Sequence, residues 1–408
     1  MPETIVIGNH GDKVRSDCQI SFKISGSGGI KLEVFSKVKV LYGRSIEKLL
    51  RDILDFYGIK NAEIRIDDSG ALPFVLAART EAAIKKALQF DKEYLLPIEK
   101  FNTYPSVRER FRFSRLYLPG NSPAMMLNAG IHHPDGIILD LEDSVAPEKK
   151  WEAGFLVRNA LRSVNFYGAE RMVRINQFPQ GIEDLKFIVP HNVHVVLLPK
   201  CEDPDQVLKV QEQTENLRAQ YSVSGEIFFM PIIESAMGVE RAFDIASSSR
   251  QVIALAIGLE DFTADIGVPR TQDAMESFYA RTRLINACKA AGIQAIDSVF
   301  SDVADETGLR ETIKRSRALG FEGMGCIHPR QIAPIHESFA PEQEEIDKAE
   351  KIVHAFLTAR EKGLGVVSLG TKMIDPPVVK RAQKIIDLAL KLKMTDKTWR
   401  EKYVNETN

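Results

Sequence analysis

Phe228-Phe-Met-Pro-Ile-Ile-Glu-Ser235, followed by Val252-Ile-Ala-Leu-Ala-Ile-Gly-Leu-Glu-Asp-Phe262, decides how this chain folds. Each stretch is an apolar run that closes on carboxylates, Glu234 in the first and Glu260 with Asp261 in the second. Runs this short, apolar throughout and ended by polar residues, suit strands buried on both faces of a parallel sheet. The same rhythm extends outward on both sides. Leu116-Tyr-Leu-Pro119, Gly136-Ile-Ile-Leu-Asp-Leu141, Met172-Val-Arg-Ile-Asn176, Val193-His-Val-Val-Leu-Leu-Pro199, Gln294-Ala-Ile-Asp297 and Gly323-Met-Gly-Cys-Ile327 complete eight strand candidates separated by helical stretches. Eight βα repeats predict an α/β fold, a TIM (β/α)8 barrel over 113–340, with a doubly wound sheet as the weaker choice.

Upstream the pattern differs. After a mobile start, Gln19–Ile24 and Ile30–Val40 alternate apolar and polar residues around a Ser-Gly-Ser-Gly-Gly turn, which predicts strand-turn-strand. Ser45 caps a helix over Ile46–Phe56, Ala62–Asp67 is a third strand, and a second helix runs from Pro73 to Gln89. This ββαβα order predicts a small α+β domain over 1–92, joined by a Pro-, Arg- and Phe-rich linker over 93–112. Beyond the barrel, 341–408 reads as a helical extension, with helices from Pro341 to Ala359 and Val378 to Leu392 and a disposable polar tail from Met394.

Composition narrows the function classes. The chain has 408 residues, 44% of them hydrophobic, and 54 Lys+Arg balance 56 Asp+Glu at a formal charge of -2. There is no global field to favour nucleic acid or a membrane surface. Cys18, Cys201, Cys288 and Cys326 are far apart, without metal-ligand spacing, so reduced thiols in a cytoplasm are the simple expectation.

Nearly every barrel strand candidate ends in a polar residue: Asn121, then Asp140, Glu142 and Asp143, then Arg174 and Asn176, Lys200, Glu234, Glu260 and Asp261, Asp297, and His328. In this fold all of those ends share the C-terminal rim, where the chemistry resides. Glu234 and Asp261 offer two oxygen donors that suit Mg2+, with water and substrate oxygens completing the shell; solvated carboxylates or helix caps are the bland alternative. Arg174 lies within a strand, where a charge is costly unless paired. It reads either as a fork for a substrate carboxylate or enolate oxygen, or as a buried partner of Asp140 or Glu142. Asp375, just before Pro376-Pro377, reads most simply as a helix cap.

Seven motifs in order then carry a likeness: Leu116-Tyr-Leu-Pro-Gly-Asn121, Leu139-Asp-Leu-Glu-Asp-Ser-Val145, Val173-Arg-Ile-Asn176, Leu198-Pro-Lys200, Ile233-Glu-Ser235, Gly258-Leu-Glu-Asp-Phe262 and Lys372-Met-Ile-Asp375. With them the chain resembles the citrate lyase β-subunit family of carbon-carbon lyases, the HpcH/HpaI aldolase-like CoA-ester lyases. Through Ser16-Asp17, Asp67-Asp-Ser-Gly-Ala-Leu72 and Ala77-Ala-Arg79 its N-terminal part resembles the citrate lyase acyl carrier subunit. The resemblance implies Mg2+ on Glu234 and Asp261, substrate oriented by Arg174 with Asp143, and Asp375 reaching in from a neighbouring subunit as acid or base. It implies CoA contacts at Pro119, Asn121, Lys200 and Lys372, a homo-oligomer (trimer or hexamer), and a possible α-like lyase subunit as partner. The implied reaction cleaves a 3-hydroxyacyl-CoA of the malyl-, citramalyl- or citryl-CoA type into an acyl-CoA and a 2-oxo acid. One position departs from the carrier pattern: Arg15 stands where that family bears the serine for its phosphoribosyl-dephospho-CoA arm, with Ser16 adjacent but off register. This argues against a covalent arm and for free CoA thioesters. The rival readings are a β-subunit acting on a carrier-bound thioester and a non-catalytic assembly subunit.

Overall fold

The computed structural model describes residues 3–361, 367–369 and 372–404. It divides into two compact units, Met1–Ile332 and Ala333–Asn408.

The first unit opens with a four-stranded sheet: β1 (Ile5–Gly8), β2 (Cys18–Ile24), β3 (Ile30–Ser36) and β4 (Ala62–Asp68), in the order β1-β2-β4-β3. Two sequence expectations are corrected here. The chain start is not mobile, because Ile5–Gly8 pairs antiparallel with Phe22–Gln19 and buries Ile7. The first helix also begins earlier, at Lys39 rather than Ile46, and the strand before it stops at Ser36. The apolar Val38-Lys-Val-Leu alternation continues as helix, and Ser45, inside it, donates its hydroxyl to the Tyr42 carbonyl at 2.8 Å instead of capping.

Among the described residues, β5 (Ser114–Pro119), β6 (Gly136–Asp140), β7 (Glu170–Arg174), β8 (Val195–Leu198), β9 (Phe228–Ile233), β10 (Ala254–Ile257), β11 (Gln294–Ile296) and β12 (Met324–Cys326) form one all-parallel sheet. β12 pairs back onto β5, and the Asp297 amide donates to the Gly323 carbonyl at 2.8 Å, which closes β11 onto β12. The eight strands form the barrel of the TIM type that the sequence predicts. Ile138, Met172, Val195, Leu197, Met230, Ile232, Ala254, Ala256 and Ile296 fill its interior.

The small sheet is fastened to the barrel by buried charge. The helix Pro73–Ala87 is buried without a break from Phe74 to Ile84, as a helix covered on all sides must be. It lies between its own sheet and the barrel helix Lys150–Ser163. Arg79, fully buried, donates to Asp17 at 2.9 and 3.1 Å and to the Asn121 carbonyl at 3.2 Å, with Glu152 3.5 Å away. Glu152 accepts from the Gly8 amide at 2.7 Å and pairs with Lys149 at 2.9 Å. A second pairing joins Arg158 of the barrel to Glu81 of the small helix, and Arg158 reaches Glu93 at 2.8 Å.

The second unit contains the helix Gln343–Glu361, the hairpin β13 (Val367–Leu369) and β14 (Lys372–Ile374), and the helix Pro376–Lys391. Its tail is not disposable, contrary to expectation. Trp399 is buried among Ala349, Val353, Ala382 and Ile386, and Thr395, Lys402 and Tyr403 all reach the buried Glu350. No helix among the described residues is long and apolar enough to cross a membrane.

Candidate active site

The C-terminal ends of β5, β6, β7, β9, β10 and β12 surround a cavity of ≈ 290 Å³ lined by Tyr117, Asp140, Asp143, Arg174, Glu234 and Asp261, among others. β9 and β10 are neighbours in register, Ile232 with Ala256 and Ile233 with Ile257, so Glu234 and the Gly258-Leu-Glu-Asp261 turn leave the sheet side by side.

Glu234 is buried, at 6% exposure, and accepts a hydrogen bond from the Lys200 amide at 2.8 Å. Burial pushes its carboxyl up to about 7, and the Asp261 charge adds to the rise. Gly258 makes room for it: a Cβ there would lie 2.6 Å from Glu234 Cγ. Gly258→Ala is therefore expected to displace the Glu234 carboxylate with the barrel still folded and, if Glu234 holds a divalent cation, to weaken its affinity by more than about tenfold; calorimetric titration with Mg2+ checks this. Asp261 is 40% exposed and meets Lys200 Nζ at 3.1 Å. Lys200 therefore touches both carboxylates, one through its amide and one through its ammonium. Its backbone is held in the left-handed region, φ 47, a strain that non-glycine residues adopt mainly where the surroundings impose it.

Arg174 takes the buried-partner reading of a strand arginine, with both candidate carboxylates at once. Its Nε and Nη2 donate to Asp140 at 2.6 and 2.8 Å, and its Nη1 stands 2.9 Å from Glu142. Two of its five N–H groups are thus committed to Asp140, and the side chain keeps 14% exposure towards the cavity. Burial raises the Asp140 carboxyl, but the hydrogen bonds and charge of Arg174 outweigh it and hold the group below its ordinary value. Burial raises Glu142. Asp143, which the family resemblance sets beside Arg174 as a substrate-orienting group, lines the same cavity; it is exposed and 3.9 Å from Lys200 Nζ, and the ion-pair partners of Arg174 are Asp140 and Glu142.

Carboxylates outnumber cations around this rim, Glu234 is desolvated, and Glu142 Oε2 faces the Arg174 charge without an aligned hydrogen bond. That donor set fits a hard divalent cation, which Glu234 and Asp261 could hold. Among the described residues no group of three or more His, Cys, Asp or Glu side chains forms a complete cage, so water or substrate oxygens would complete the shell.

A second, more apolar cavity of ≈ 460 Å³ lies beside the first, lined by Pro119, Met125, Asn128, His132 and His328, with Tyr117, Ser144 and Ile327 shared between the two. Pro119 lines it; Asn121 instead lends its carbonyl to Arg79. Glu260 and Asp297 also line the first cavity, but each is paired, Glu260 with Arg270 at 2.6 Å and Asp297 with Arg281. His328 caps a short turn by accepting from the Arg330 amide. Asp375 accepts from the Val378 amide at 3.1 Å and caps the helix Pro376–Lys391, as its position before two prolines predicts. The Lys372 side chain lies outside the described residues. Sequence reasoning did not single out Tyr117 or Arg115 as site residues, although both share the inward phase of β5.

A family model described as HpcH/HpaI aldolase/citrate lyase matches residues 114–329, and one described as Malonate decarboxylase delta subunit matches residues 8–87. The chain is 38% identical to the citrate lyase subunit beta of Leuconostoc mesenteroides subsp. cremoris over 69% of its length and 94% of that protein. It is 30% identical to the mitochondrial citramalyl-CoA lyase of Homo sapiens over 79% of its length and 99% of that protein. It also resembles the crystal structure of protein CitE from Mycobacterium tuberculosis in complex with magnesium, acetoacetate and coenzyme A, with a TM-score of 0.58 at 26% identity, covering 69% of this chain and 99% of that one.

Proposed function

Because the chain belongs to the HpcH/HpaI aldolase/citrate lyase family, whose curated relatives are named as lyases, we propose that it is a Mg2+-dependent carbon-carbon lyase acting on a free 3-hydroxyacyl-CoA thioester. Malyl-, citramalyl- and citryl-CoA are its candidate substrates, and an acyl-CoA with a 2-oxo acid its products. The observation that carries this reading is the desolvated Glu234 beside Asp261 and a carboxylate-braced Arg174 around one cavity.

Glu234 and Asp261 would hold the metal, which when bound polarises the substrate hydroxyl and carboxylate and favours the leaving keto form. Asp140 and Glu142 fix the Arg174 guanidinium, so that its uncommitted N–H groups are oriented before substrate arrives and can stabilise charge developing on the thioester oxygen. Lys200 joins the two metal-binding strand ends and offsets the surplus of carboxylates while the site is empty of substrate. The apolar cavity beside Pro119 suits the pantetheine arm. Asp375 from another copy of the chain would deliver the proton to the enolate carbon, being spared by its cap for one further hydrogen bond.

Purified protein with Mg2+ should release acetyl-CoA, or a related acyl-CoA, and a 2-oxo acid from at least one of the three thioesters; release from none would exclude the reading. A shared site makes a separate prediction. Asp375→Asn and Glu234→Gln proteins, each inactive, should recover part of the wild-type rate when mixed under subunit exchange, and no recovery with hybrids demonstrated would place the whole site in one chain.

The identity to citrate lyase β-subunits supports a second reading, in which the substrate is bound to a carrier. An intact mass of the natively produced protein equal to the bare chain would exclude an arm on its own Ser16.

A further inference from the structure

Arg115 is a buried cation with no carboxylate of its own among the described residues. It lies on β5 at 1% exposure, its Nη1 faces the Met230 sulfur at 2.8 Å, and its Nε has no hydrogen-bond partner. The nearby acids are engaged elsewhere: Glu170 holds Arg112 at 2.7 and 2.8 Å, Asp140 holds Arg174, and Asp135 accepts from the Ser114 amide. Burial draws the Arg115 guanidinium down to about 10, so it remains charged at neutral pH. A bare charge in a barrel core is far costlier than an apolar residue of the same length.

The fold nevertheless makes room for it. The residues in register on the flanking strands are Gly136 and Gly325, and a Cβ at Gly136 would lie 2.6 Å from Met172 and 3.5 Å from the Arg115 stem. Arg115 also lines the active-site cavity, together with Tyr117, Ile232 and Ala256. Tyr117 lines the cavity with both guanidinium groups, and Arg174 lies 5.4 Å from its ring centre. The cavity is thus acidic at its rim and cationic at its floor.

A 3-hydroxyacyl thioester in this cavity has little choice of orientation. The CoA portion is too large for ≈ 290 Å³ and must leave through the mouth. The hydroxyl and its neighbouring carboxylate are wanted at Glu234, Asp261 and Arg174. The remaining substituent on the carbinol carbon is left to face the floor. On the lyase reading above, we propose that Arg115 is a specificity-determining residue that receives a second carboxylate there, so that the enzyme prefers thioesters whose 2-oxo acid product is a dicarboxylate over those yielding a monocarboxylate.

Citryl-CoA and citramalyl-CoA test this directly, since they differ at that carbon by a carboxymethyl against a methyl group. The ratio of kcat/KM for citryl-CoA to that for citramalyl-CoA should fall by at least about 100-fold in Arg115→Met, because a site built for a charged group loses far more when the pairing is broken than an apolar pocket does. Arg115→Lys should keep part of the preference. Independently of turnover, wild-type protein with Mg2+ should bind oxaloacetate at least about tenfold more tightly than pyruvate by calorimetry, and Arg115→Met should lose that difference. An unchanged ratio in a folded Arg115→Met protein overturns the proposal, as does equal wild-type affinity for the two oxo acids, which decides the matter even where the variant does not fold. If wild-type protein cleaves none of the three thioesters, malyl-CoA included, the lyase reading fails, and the oxo-acid titration still judges Arg115 by itself.

Discussion

If the chain is the Mg2+-dependent lyase proposed, Glu234→Gln is expected to reduce thioester cleavage by at least about a thousandfold and to abolish any stabilisation by Mg2+, while making the metal-free protein more stable. The opposite signs follow from one fact, the burial of a carboxylate. The folded Glu234 carboxyl titrates near 7 against an ordinary 4.5, so it binds its proton more tightly folded than unfolded. Wild-type metal-free stability should therefore decline as pH rises from about 4.5 through 7, and a glutamine escapes that decline. At about pH 8 the gain is roughly 1–3 kcal/mol. The amide oxygen can still accept from the Lys200 N–H, so local geometry survives. Parallel denaturant melts at about pH 6 and about pH 8, with and without Mg2+, read the two stability effects, and a thioester cleavage assay reads the third. A variant that loses activity and stability together would mean that Glu234 is structural.

Arg79→Met is expected to be among the most damaging substitutions outside the site, costing roughly 3–5 kcal/mol. It leaves Asp17 and Glu152 as buried carboxylates without their guanidinium and frees the Asn121 carbonyl, where β5 ends. Adding Asp17→Asn and Glu152→Gln to it should recover most of that loss, since an uncharged junction is far cheaper than a half-charged one, and the side-chain amide introduced by Glu152→Gln retains an acceptor for the Gly8 N–H. Urea unfolding of the single and triple variants measures the difference. Equal stability of Arg79→Met and wild type would show the small sheet to be loosely held.

Much of the barrel is legible in the sequence alone. The barrel strands declare themselves because a strand covered on both faces must be apolar along its whole length, and Phe228–Ile233 and Ala254–Ile257 are. Their closing carboxylates follow from the rule that polar residues gather where strands emerge. What the sequence hid is pairing over long separations. That Arg174 would take Asp140 and Glu142 together, or that Arg79 would find Glu152, depends on the register of β6 with β7 and on helix packing that no local pattern encodes. The helix start at Lys39 was hidden for a different reason: Val38, Val40 and Leu41 favour strand locally, and only the tertiary fold overrules them. The tail after Met394 looks expendable because Trp399 and Tyr403 are isolated in a mostly polar run, and the burial of Trp399 needs partners on the helix Gln343–Glu361, far earlier in the chain.

The buried junction has a historical corollary. A freely tethered carrier can be deleted from a gene without harm once its chemistry is obsolete. Here Arg79 and Glu81 answer charges that lie inside the barrel helix Lys150–Ser163, and any deletion that removes them strands Glu152 and Arg158 without counter-ions from the small helix. A lineage that has acquired those four residues cannot shed the extra sheet in a single step, whether or not it is still of use. Fusion followed by buried pairing would act as a ratchet, preserving the module whatever use it now has.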